Sequence, residues 1–141
     1  MAHLDCNEIL AQVTEVIRHC DSIQATEDSS LTDDDQQIVN IVRQSAQRVA
    51  WLTRELLQET EAGHLNQWEM QRAFVFDLRN PINNIMSGAQ LMLSENYEVD
   101  LTDDQRLYLQ AIAAIGGQME SLLQNILDDL RKSFPPQDSP S

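Results

Sequence analysis

The sequence predicts an all-α chain folded as an antiparallel four-helix bundle, on three observations. Apolar residues recur at steps of three and four along the chain, capping patterns stand before the periodic segments, and strand signals are sparse. Aromatic residues make up 5% of the 141 residues, with four Gly and four Pro, too few for the turns and strands of a β-sandwich or barrel. A hydrophobic content of 42% is enough for one core in a chain of this length.

Each helix has its own seam. Ile9, Val13, Val16, Cys20 and Ile23 line the first. Ile38, Val42, Ser45, Val49, Leu52 and Leu56 line the second, and Leu78, Ile82, Ile85, Ala89 and Met92 the third. Tyr108, Ile112, Ile115, Met119, Leu122 and Ile126 line the fourth. Such spacing gathers each set on one side of a helix, as bundles require. Asp5 with Glu8, Asn66 with Glu69 and Thr102 with Gln105 are capping-box pairs, and Thr32 precedes three aspartates that suit a helix N-terminus. The predicted helices are 5–25, 33–62, 67–94 and 103–132, forming one domain over 1–132. A flexible tail, 133–141, is expected from its three prolines.

The seams come in two related pairs. Leu31-Thr32-Asp33-Asp34 recurs 70 residues later as Leu101-Thr102-Asp103-Asp104, and the second seam maps onto the fourth at that offset. The first maps onto the third at an offset of 69. Two tandem hairpins, 5–62 and 67–132, are the expected organisation, each burying its seam against the other within one chain.

Nine Lys and Arg against 23 Asp and Glu give a net charge of −14. That surface argues against nucleic acid and against anionic membranes as partners, since both are bound through clustered cations. No apolar run approaches the ~20 residues that span a bilayer, and no signal peptide is evident. The expected location is cytoplasmic, with Cys6 and Cys20 reduced in the core. His3, His19 and His64 are too scattered to suggest zinc, and no Gly-rich phosphate loop is present, so no metal or cofactor is expected. His19 is expected at the surface, and Trp51 and Trp68 are expected to pack on each other across the central turn.

The third segment contains Phe76-Asp77-Leu78-Arg79-Asn80-Pro81-Ile82-Asn83. It resembles the phosphoacceptor motif of sensor histidine kinases, usually His-Glu-Leu-Arg-(Thr or Asn)-Pro-Leu. The resemblance runs over about 70–132, taking in the Leu101-Thr102-Asp103-Asp104 turn and the last helix. A proline inside a helix makes it fairly specific. Phe76 stands where the family has histidine, and a benzyl ring has no nitrogen to phosphorylate. No ATP-binding domain is expected after the motif.

The resemblance therefore implies a non-catalytic module of two-component signalling, monomer or homodimer, that docks a sensor kinase or a response regulator. Phe76, Asp77, Arg79, Asn80 and Asn83 would form its contact face, and Leu78, Ile82 and Ile85 would hold the core. If Phe76 is packed, Phe76→His should cost on the order of 1 kcal/mol. Two alternatives remain from the same residues. Asp77 and Asn80 match the positions that, in the family, orient water against a regulator's aspartyl phosphate. Or the chain is a dimerisation segment in which helices two and three run through Gly63 as one rod of roughly 60 residues, ~90 Å.

Overall fold

Each periodic segment of the sequence is one helix. The computed structural model describes residues 4–26 and 29–133. Among them are four α-helices, α1 (Cys6–Ala25), α2 (Asp33–Glu61), α3 (Gln67–Leu93) and α4 (Asp103–Ser133), and no strand. The expected tail lies, from residue 134 on, outside the described residues, as does His3.

The helix starts follow the cap chemistry. Thr32 with Asp35, Asn66 with Glu69 and Thr102 with Gln105 each close a reciprocal box of about 3 Å bonds. At Asp5 the cap runs one way: its carboxylate accepts from the Asn7 and Glu8 amides. The end of α2 is equally specific. Gly63 takes φ +79°, and the Gly63 and His64 amides donate back to the Thr60 and Glu59 carbonyls at 3.1 and 2.9 Å. This left-handed closure reverses the chain before Asn66 starts α3. The continuous rod through Gly63 is not formed.

The helices pack in a ring, each against its sequence neighbour, with α4 closing onto α1. Neighbours run antiparallel. Gln24 bonds Asn40 while Arg43 bonds Asp21 between α1 and α2, and Gln12 bonds Gln118 between α1 and α4. Gly88 sets how closely α3 approaches α2: a Cβ there would lie 2.5 Å from Val42 Cγ2. All five predicted seam residues of α1 and all five of α3 are buried. On α2 and α4, Val42, Ser45, Val49, Leu56, Ile112, Met119 and Ile126 are buried, while Ile38, Leu52, Tyr108, Ile115 and Leu122 are half-buried flanks of the same stripe. Both cysteines are buried as free thiols, and burial pushes the Cys20 thiol up to about 11. No helix among the described residues is long and apolar enough to cross a membrane.

Two polar locks join the hairpins at the end where the α1–α2 and α3–α4 loops lie. Asp35 of α2, 3% exposed, accepts a 2.5 Å bond from the Tyr97 hydroxyl in the α3–α4 loop. Gln105 of α4, fully buried, donates to the Ile23 carbonyl at 3.1 Å and to Ser29 Oγ at 3.0 Å in and beside the α1–α2 loop. Asp35 and Gln105 are both the third residue of a capping box and stand 70 residues apart. The burial pattern also repeats at that spacing: Val39 with Leu109, Ala46 with Gly116 and Thr53 with Leu123 are buried alike.

Candidate functional site

Pro81 shapes α3 at the motif. The helix continues through it, but a proline has no N–H to give the carbonyl four residues back, which belongs to Asp77. Its ring is buried against the core, and Leu78, Ile82 and Ile85 beside it are fully buried. Everything else in the motif points out. Phe76, Asp77, Arg79, Asn80 and Asn83 are all exposed, Phe76 by 67%.

The five residues do not converge on one pocket. Arg79 and Asn83 line a groove of about 400 Å³ between α3 and α4, facing Gly117, Glu120 and Gln124. Asn80 and Pro81 line a groove of about 300 Å³ on the other flank, facing Ile41, Gln44, Ser45 and Arg48 of α2. Phe76 and Asp77 border a third groove with Trp68, Glu69 and Arg72. The motif is therefore a ridge between flanking grooves, suited to an incoming surface rather than to a small enclosed substrate.

Phe76 belongs to a cluster that the motif does not reveal. The Arg72 guanidinium lies 5.1 Å from the Phe76 ring centroid and 5.8 Å from that of Trp68. Both distances are within cation–π range. From α4, Leu127, Leu130 and Arg131 complete a largely apolar groove of about 480 Å³. Trp68, Arg72 and Phe76 are spaced i, i+4, i+8, a signal legible in the sequence once α3 is placed. The α4 residues need the antiparallel register and could not be read from the chain alone.

Two expectations are corrected here, and one condition is decided. Trp51 and Trp68 do not meet across the turn. Arg48 and Asn80 line one groove, which sets the α2–α3 register and puts the Cα positions of the two tryptophans roughly 13 Å apart along the axis. Trp51 is instead 53% exposed, with Arg48 5.7 Å from its centroid. His19 is not an open surface group: its side chain is 21% exposed and stacks on Tyr108 with centroids 5.6 Å apart. The condition set on Phe76 is decided the other way, since its ring is exposed and not packed. Phe76→His should therefore shift Tm by no more than about 1–2 °C, the range of a surface substitution. Thermal unfolding checks this, and a drop of five degrees or more would contradict the exposed ring. Among the described residues, no group of three side chains is placed to hold a metal ion.

The ridge, the buried proline and the following long helix define what this half of the chain is similar to. Residues 77–133 match the His Kinase A (phospho-acceptor) domain. The matched span begins one residue past Phe76 and covers the rest of α3 and all of α4, leaving α1 and α2 outside it. A domain of this type accepts phosphate and dimerises, is a helical hairpin, and is not catalytic by itself. The match links the chain to two-component signalling. Searches against curated proteins and against solved structures return no match.

Proposed function

We propose that the chain is a non-catalytic docking module of two-component signalling, engaging a sensor kinase or a response regulator through the outer face of α3. One observation carries the reading. Phe76, which the motif resemblance aligns with the phosphoacceptor, is exposed on a ridge whose polar residues are also exposed, while the buried half of the same motif holds the core. A docking surface survives the loss of a single acceptor nitrogen, because contact area and charge do not depend on that atom. The two hairpins, related in burial and in their loop locks, are read as tandem degenerate copies that supply one bundle from one chain. The locks favour a closed monomer.

The phosphatase alternative is supported by exposure of both Asp77 and Asn80 on adjoining turns, where a docked regulator would reach them. Positioning a water molecule would be chemically sufficient. Docking is favoured because, among the described residues, no hydrogen bond or ion pair holds either side chain in place for in-line attack.

The test is a binding titration of purified kinases and receiver domains against the chain. Phe76→Ala or Arg79→Ala should weaken the complex about ten-fold, some 1.4 kcal/mol, and Asn80→Ala much less. Binding that ignores all three would place the contact elsewhere and remove the proposal.

A further inference from the structure

The pseudo-repeat gives the bundle two faces that would be equivalent if the hairpins were identical. They are not. At the offsets of 69 and 70, Phe76 corresponds to Asn7, Leu130 to Thr60 and Arg131 to Glu61. Asn7 and Glu61 are exposed and Thr60 is half-buried where the start of α1 packs beside the end of α2; burial, then Asp5, then Glu61 raise the Cys6 pKa there, while His3, the counterpart of Arg72, lies outside the described residues. An aromatic ring, a leucine and a guanidinium on one face are thus an amide, a hydroxyl and a carboxylate on the other.

The chemistry of the Phe76 face is specific. Arg72 lies over two rings, which leaves the edge of its guanidinium, with its N–H donors, for a partner. Arg72 and Arg131 make no ion pair among the described residues, although Glu69 and Asp77 line the adjoining groove. In a chain of net charge −14, two such arginines beside an apolar groove complement a partner that brings carboxylates around an apolar contact. A second copy of this chain is a poor occupant, since a twofold contact would set the arginines against each other. The helix ring is closed on all four sides, so a kinase hairpin finds no open seam to join and a partner must dock from outside.

We infer that the chain has one partner site, not two: the Trp68–Arg72–Phe76 face with Leu127, Leu130 and Arg131 takes a single receiver domain, and its pseudo-equivalent at Asn7, Thr60 and Glu61 takes none. This rests on the docking reading above. Occupancy of one face fixes a 1:1 complex, where a symmetric bundle would bind two.

The experiment is calorimetric titration of the full chain with the purified receiver domains of its source organism, taken one by one. A binding receiver should give a ratio of one, with affinity that falls as salt rises. Arg72→Ala and Arg131→Glu should each weaken it about ten-fold or more, without rescue by Arg72→Lys, since an ammonium lacks the planar fork. Asn7→Ala and Glu61→Ala should stay within about two-fold, and circular dichroism should show all five variants folded. A ratio of two, or equal losses from both faces, would overturn the single site while leaving docking intact. Binding of a kinase's ATP-binding domain at this face, with no receiver bound, would overturn the partner assignment. Failure of every receiver and kinase to bind would remove the docking reading, and this inference with it.

Discussion

Leu78→Asp should unfold the chain, whereas Asp77→Leu, one residue away, should leave it folded. Leu78 is fully buried and Asp77 is exposed, so one step of 100° around α3 separates core from surface. Removing the leucine forfeits about 2–5 kcal/mol of packing and transfer energy. The unpaired carboxylate then adds a desolvation penalty of several kcal/mol. Together these match the whole stability of a typical domain, about 5–15 kcal/mol. Far-ultraviolet circular dichroism would record the loss of helix. A folded Leu78→Asp chain would mean that the motif helix does not face the core as described.

The second large effect concerns the lock at the loop end. Asp35→Ala should cost about 2–4 kcal/mol, because it removes a helix cap together with a charge-assisted bond from Tyr97. Burial alone would raise the Asp35 pKa, but the Tyr97 hydroxyl and the Thr32 backbone and side-chain donors outweigh it and hold the carboxyl below its ordinary value. The contribution of a carboxyl so lowered is complete above its unfolded pKa of about 4 and is lost as pH falls through the lower folded value. Tyr97 has the opposite sign. Its bond to Asp35, with some help from burial, pushes its pKa up to about 12. That contribution is complete below the ordinary value of about 10 and is lost as pH rises through the folded one. Urea unfolding at several pH values should show both losses in the wild type. Tyr97→Phe should reduce the alkaline loss, leaving the share that the buried Cys20 thiol contributes, and weaken the acid one. Equal alkaline sensitivity in Tyr97→Phe would show that the lock does not govern it.

The seams and caps were legible because they are local. A period of 3.6 and a side chain three residues from its cap need no knowledge of the rest of the chain. Ser45 illustrates the strength of the signal: register alone places this polar residue in the core, and it is buried. Contacts that depend on the three-dimensional register were not legible. Tyr97 lies in a loop without periodicity, 62 residues from Asp35, and nothing local connects them. Gln105 could be read as a cap, but not as a bond to Ile23. The same limit applies to the candidate site. Of its α3 residues only Phe76 stands in the motif, with Trp68 and Arg72 before it at helical spacing, whereas Leu127, Leu130 and Arg131 reach Phe76 only because α4 returns antiparallel. The separation of Trp51 and Trp68 has the same origin, since nearness to the turn in sequence says nothing of axial separation.

Docking without catalysis is the central claim, and the phosphorylated lifetime of a bound receiver domain tests it most directly. The measurement compares decay of the aspartyl phosphate alone and with the chain in saturating excess, after binding has been demonstrated. The account predicts an unchanged lifetime, in wild type and in Asn80→Ala alike. A lifetime shortened about ten-fold or more by the wild type, equivalent to roughly 1.4 kcal/mol of barrier, and restored by Asn80→Ala, would contradict it and make Asp77 and Asn80 a phosphatase site.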